Sequence, residues 1–123
     1  MARSNPSTTI EVLAKTSLEN ILLINKEGYI VFQSESLTHN FGYPPNSMLA
    51  TSILSYLKQK DQLFLAQAME NLIGKEIDSI KGETTIRDAS DHKRYIHYVA
   101  KRQEQYIAWH FFDITAMKKK HKQ

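Results

Sequence analysis

The chain has 123 residues, 41% hydrophobic and 24% charged, with a formal net charge of +3. Those figures describe one ordinary globular domain, and no apolar run approaches the roughly 18 residues needed to cross a bilayer. The absence of cysteine excludes disulfides, thiolate nucleophiles and cysteine-bound zinc.

Met1 to Pro6 lacks an apolar stretch behind it and is no secretory signal. With the missing cysteines, this points to a cytoplasmic protein. The excess positive charge is carried by Lys118, Lys119, Lys120 and Lys122 in the tail. The body offers no basic face studded with aromatics, so nucleic-acid binding is not expected.

Residues 1–7 read as disordered. A capping helix is expected over 8–19, because Thr8 and Glu11 have capping-box spacing and Ile10, Leu13, Ser17 and Leu18 share a face. Ile21 to Asn25 reads as a buried strand. Lys26-Glu27-Gly28 is a turn with Gly28 at positive φ, and Tyr29 to Phe32 returns as a hairpin partner. Ser34 to Phe41 is a short helix ended by Gly42 ahead of Pro44-Pro45. One or two single-turn helices fall in Ser47 to Leu57. With few caps and few apolar anchors, the segment from Ser34 to Leu57 is expected to be the least stable part and a natural lid.

Asp61 is expected to cap the longest helix, which ends near Ile73 and Gly74. Leu65, Ala68, Met69 and Leu72 form its apolar stripe, with Phe64 beside them. From Glu76 the period becomes two: Ile80, Gly82, Thr84 and Ile86 alternate with charged and polar residues. Asp88 to His92 is a loop, Lys93 to Lys101 a strand, and Arg102 to Glu104 a turn. The last strand, Gln105 to Thr115, has large apolar groups in both phases and should be central. Ile107, Trp109 and Phe111 form one row; Tyr106, Ala108, His110 and Phe112 form the other. Thr115 reads as the N-cap of a helix over 116–123. Two groups of strands around a helical block predict an α+β fold: a five-stranded antiparallel sheet with short helices and one longer helix on one face. The simplest closure pairs the last strand with the first.

Five short motifs, in order and at matching spacing, resemble a PAS domain over residues 20–115. They are Asn25-Lys26-Glu27-Gly28-Tyr29-Ile30-Val31, Asn40-Phe41-Gly42-Tyr43, Lys60-Asp61, Asn71-Leu72-Ile73-Gly74 and Asp113-Ile114-Thr115. Ser34 departs from a frequent Asn, which puts a helix-capping contact in doubt. Asp91-His92 departs from a frequent Gly and implies a looser loop. The resemblance implies that Ile107, Trp109 and Phe111 face the helices, where such domains hold a ligand. Phe32, Phe41, Phe64, Tyr98, Trp109 and Phe111 are then the candidate pocket residues, either lining a small apolar cavity or filling it. It also implies that the N-terminal helix covers the other face, so that Ile10, Leu13, Leu18, Tyr106, His110 and Phe112 form a helix-docking and homodimer surface.

The implied function is a sensory or regulatory module of a bacterial-type signalling protein. It would relay its state through the last strand and an Asp113–Thr115 hinge to a C-terminal output domain, a histidine kinase or a cyclase. The alternative is a ligand-free interaction domain with a filled aromatic core. Catalysis is not expected, since an isomerase-like site needs an inward Asp, Glu or His and the inward rows read as apolar. Haem is not expected, because Gln59 to Lys75 contains no histidine and His39 lies in a polar stretch. Covalent flavin lacks its cysteine, and non-covalent flavin lacks polar partners for its edge. His97 and His110, on neighbouring strands, read as a cross-strand contact or a pH-sensitive pair. No metal site and no membrane contact are expected. The chain is expected to be part of a longer protein.

Overall fold

The computed structural model describes residues 19–121, with side chains described as far as Lys118. The expected disordered terminus and nearly all of the capping helix, with Ile10, Leu13 and Leu18, lie outside the described residues.

The elements are β1 (Asn20–Ile24), β2 (Ile30–Gln33), α1 (Ser36–Phe41), a 3₁₀ turn (Ile53–Tyr56), α2 (Gln59–Ile73), β3 (Ser79–Arg87), β4 (Lys93–Gln103), β5 (Tyr106–Asp113) and α3 (Thr115–His121). The sheet order is β2-β1-β5-β4-β3, with every neighbouring pair antiparallel. The last strand is therefore central and pairs with the first, as its two apolar rows require. No described helix is long and apolar enough to cross a membrane.

Local chemistry sets the turns. Asn25 closes the β1–β2 hairpin: its side-chain oxygen accepts the N–H groups of Glu27 and Tyr29, and Gly28 sits at φ 91°. Gly42 at φ 80° ends α1 in the left-handed conformation expected of it. At the end of α2 the left-handed residue is Lys75 (φ 65°), one beyond Gly74. Arg102 secures this end from β4, donating to the carbonyls of Leu72 and Ile77 and pairing with Asp78 at 2.9 Å.

Residues directly opposite across a ladder share a face. Register therefore assigns Ile24, Leu22, Trp109, Ala100, Tyr98 and Phe111 to the inner face. Leu65, Met69 and Leu72 of α2 pack on that face in one core with Leu37, Phe41, Met48, Ile53 and Leu57. Two candidate pocket residues are not there. Phe64 is 67% exposed, because it lies about a quarter turn from the centre of the α2 stripe. Phe32 pairs with Leu23, which pairs with Ala108, and so belongs to the outer face.

The segment from Ser34 to Leu57 is better anchored than its sequence indicates. Leu37, Phe41, Met48, Ile53 and Leu57 are all buried. Buried Gln33 pins the segment to β2, its Oε1 accepting from Met48 N at 2.8 Å and its Nε2 donating to Pro44 O at 3.0 Å. Ser34 also holds a contact, its Oγ accepting from Ile21 N at 3.0 Å. Asp61 does not cap α2. Lys58 is the N-cap residue and supplies no side-chain bond, while Asp61 in the first turn accepts from the Thr84 hydroxyl.

Gly82 is required by packing. A Cβ there would stand 2.9 Å from the Tyr98 hydroxyl, and Tyr98 is held against Trp109 with ring centroids 5.0 Å apart. Gly82→Ala should cost about 1–3 kcal/mol, the usual scale of overpacking, and should shift the emission of Trp109. Tyr98→Phe in the Gly82→Ala background should recover part of that loss. Denaturant melts of the two single variants and the double variant check this; strict additivity would contradict the proposed contact.

Candidate functional site

β5 runs through the middle of the sheet and delivers the chain to α3, so the candidate site has two parts: the inner row of β5, and its exit. Ile107, Trp109 and Phe111 each expose 1% of their surface. Trp109 packs on Tyr98, and Phe111 lies 5.7 Å from Phe41, centroid to centroid. Burial, and after it the charge of Asp61, holds the Tyr98 hydroxyl above its usual pKa. The indole N–H of Trp109 is buried and has no hydrogen-bond partner among the described residues. Such an unpaired group costs on the order of 1–3 kcal/mol.

Two clefts lie at the rim of the described residues. One of about 700 Å³ is lined by His92, Lys93, Arg94, Asp113, Thr115 and Ala116, beside the start of α3. Another of about 310 Å³ lies at the opposite end, under Lys26, Ile73 and Tyr106. Neither is lined by Trp109, Phe41 or Phe111.

The exit of β5 holds a charge cluster that sequence reasoning missed. Arg94 donates from Nε to Asp88 Oδ2 at 2.9 Å and from Nη1 to Asp113 Oδ2 at 2.7 Å. Its guanidinium lies over the Phe41 ring at 5.7 Å. Asp88 is almost wholly buried, and its other oxygen accepts from the Ser90 and His92 N–H groups, both at 2.9 Å. Burial works to raise the Asp88 pKa, but the His92 N–H, the Arg94 guanidinium and the Ser90 N–H together hold it below the usual carboxylate range. Desolvation opposes the charge on Arg94, and its bonds to Asp88 and Asp113 outweigh that and raise its pKa. The signal was available: Arg94 falls in the same period-two phase as Ile96 and Tyr98, and Asp113 in the phase of Trp109 and Phe111. Opposite charges at the ends of two inward rows imply a pair.

Around this cluster, Ala89 N donates to Phe41 O at 2.9 Å, tying the β3–β4 loop to the end of α1. Burial, with Tyr56, Asp88 and Asp91 adding to it, pushes the Tyr43 pKa up to about 12. Its hydroxyl donates to the Arg87 carbonyl.

Thr115 does not cap α3 as expected. Asp113 Oδ1 accepts the Thr115 N–H at 2.9 Å and the Thr115 hydroxyl proton, and Thr115 Oγ1 accepts from Tyr95 N at 2.9 Å. Ile114 N donates to Tyr95 O at 2.8 Å. The hydroxyl stands where a strand carbonyl would, extending the β4 ladder into the first residues after β5. Lys118 then pairs with Glu83 of β3 at 2.8 Å.

On the outer face, Ile21, Leu23 and Ala108 are buried, Tyr106 and His110 are half-buried, and Phe112 is 44% exposed. His97 and His110 are not partners: His97 lies opposite Phe112 and Glu83, and His110 Nδ1 lies 2.9 Å from Glu19. His39 is exposed. Among the described residues no group of three or more acidic or histidine side chains could hold a metal ion.

The fold is that of PAS domains, and many solved structures share it. The PAS domain of a protein from Colwellia psychrerythraea aligns over 91% of this chain and 99% of its own, with a TM-score of 0.75 and 11% identity. A domain of a sensory box sensor histidine kinase/response regulator from Geobacter sulfurreducens aligns over 87% and 93%, with a TM-score of 0.74 and 16% identity. The PAS domain of the RpfR quorum-sensing receptor from Cronobacter turicensis aligns over 80% and 96%, with a TM-score of 0.70 and 13% identity. No protein-family model and no curated protein matches the chain.

The lowered pKa of Asp88 sets a sign. Its stabilising contribution is complete above the unfolded carboxylate value of about 4 and is lost as pH falls through the lower native value. Asp88→Asn should therefore be less stable than the parent at neutral pH, with the gap closing below about pH 4. Urea melts from pH 7 to pH 2.5 measure this; a gap that is constant with pH would contradict it.

Proposed function

We propose that the chain is a non-catalytic sensory or regulatory module that passes a change in its core to whatever follows α3. The observation carrying this reading is the continuity from Phe111, beside Trp109 in the inner row of β5, through Phe41 and Arg94, to Asp113 and the start of α3. A shift of the β5 inner row alters what Arg94 rests on, and Arg94 holds the carboxylate that orders the first residue of α3. The sharing of this fold with a domain of a sensor histidine kinase and a receptor domain solved in complex with BDSF supports the reading. An output domain of the kinase or cyclase kind beyond α3, in a cytoplasmic protein, completes it. Asp113→Ala, in a longer protein carrying an output domain, should leave the sheet folded by circular dichroism and abolish the response of the output. An unchanged response would refute the hinge.

The unpaired indole N–H of Trp109 favours a ligand with one hydrogen-bond acceptor and an otherwise apolar body. A second reading, a ligand-free interaction domain, is favoured by the four inner rings packing on one another in pairs. In both, the outer row with Tyr106, His110 and the half-exposed Phe112 joins Ile10, Leu13 and Leu18 in a homodimer surface. Native mass spectrometry of the purified protein reads both points. A dimer mass with a bound small molecule lost on denaturation supports the sensor, a bare dimer supports the interaction domain, and a bare monomer contradicts both.

A further inference from the structure

A third cleft, of about 370 Å³, lies at the β3 margin of the sheet and shares Lys93 with the cleft at the β5 exit. Its walls are Ser55, Tyr56, Leu57, Lys58, Gln59, Gln62, Thr85, Arg87 and Lys93. Lys58, Arg87 and Lys93 bring three positive charges to it, and no Asp or Glu lines it. Two of the three have carboxylate partners: Asp61, in the first turn of α2, is 3.7 Å from Lys58, and Asp91 is 3.6 Å from Arg87. Both ion pairs are exposed enough to be weak. Lys93 rests over the Tyr95 ring, 5.7 Å from its centroid, with no carboxylate partner among the described residues.

Two further features converge on the same space. The fifteen-residue helix α2 begins here without a side-chain cap, so the N–H groups of Gln59 and Lys60 have no partner within the helix. Thr85 is only 5% exposed, lines the cleft, and its hydroxyl has no hydrogen-bond partner among the described residues. The hydroxyl of this largely buried residue, beside three cations and the two amides at the helix start, matches an anion with several acceptor oxygens. The volume exceeds what a bare oxyanion fills and is in the range of small-molecule sites.

We propose that this cleft binds a phosphate-bearing small molecule. Its phosphate lies among Lys58, Arg87 and Lys93 at the start of α2 and accepts from the Thr85 hydroxyl, with the rest of the molecule filling the cleft. Lys93 adjoins Arg94, so occupancy here bears directly on the clamp that holds Asp113. The site is thus a second input, independent of any ligand at Trp109.

The test is a ¹H–¹⁵N titration of the whole chain with inorganic phosphate and with adenosine monophosphate, at constant ionic strength. Saturable shifts should be confined to the amides from Lys58 to Gln62 and around Thr85 and Lys93, with the monoester binding at least as tightly as phosphate. The Arg87→Gln/Lys93→Gln double variant should weaken binding about tenfold, as expected for losing two charge-assisted contacts. Thr85→Val should weaken it, Thr85→Ser should restore it, and Lys26→Gln, at the far end of the sheet, should leave it unchanged. Shifts that fail to saturate, or that spread over the exposed lysines alike, overturn the proposal. So does a double variant that binds as the parent does, or a phosphoserine peptide that binds far more tightly than the monoester, which would make the occupant a protein.

Discussion

β5 is hydrogen-bonded along both edges, from Asn20↔Phe111 to Ile24↔Ile107 on one side and from Ile96↔Asp113 to Gln103↔Tyr106 on the other. A strand in that position cannot slide without breaking two ladders, and a one-residue slip would exchange its inner and outer rows. Trp109 would then leave the core and His110 would enter it. The permitted motions are small changes of twist and tilt shared with β1 and β4. Such changes are greatest where the ladder ends, and this ladder ends at Asp113.

What happens at that end is governed by a balance of charge. Arg94 and Asp88 are both costly to remove from water, and each is kept charged by bonds with good geometry: two carboxylates for the guanidinium, and two backbone N–H groups with Arg94 for Asp88. Removing Arg94 takes the cation from both Asp88 and Asp113 at once, so the two carboxylates are coupled through it. Phe41 gives it a view of the core, one ring meeting Phe111 on one side and the Arg94 guanidinium on the other. The Asp113 carboxylate is divided between Arg94 and Thr115, so the same group reports on the sheet and orders the start of α3.

The parts of the molecule governed by periodicity were legible. Both apolar rows of β5, the stripe Leu65-Ala68-Met69-Leu72, and the glycines at 28 and 42 each follow from a short-range rule that tertiary packing did not override. The misjudged residues are those whose partners are distant in sequence. Phe64 looked inward because it adjoins Leu65, although helix geometry turns it to solvent. Phe32 depends on the hairpin register, which shifts between Leu23 and Ile24. Asp61 and Thr115 have the composition of helix caps, but each finds a better use across the sheet, with Thr84 and with Tyr95. Ser34 to Leu57 looked loose because much of what fixes it lies elsewhere, above all in the side chain of Gln33.

Sequence identities of 11–16% with structures that superpose over nearly the whole domain indicate what the fold demands. It needs the alternation of rows, the turns and the buried volume, and very few particular residues. The inner rings are free to vary within those demands, and in this chain Tyr98, Trp109, Phe41 and Phe111 occupy the space between sheet and helices in contacting pairs. A ligand entering there must displace a ring, and the ring that moves is coupled to Arg94 through Phe41 or to Gly82 through Tyr98. Only the first of these routes leads to α3. A ligand acting on Phe111 and Phe41 therefore has a direct path to the exit, whereas one that moves only Tyr98 reaches β3 and stops at the edge of the sheet.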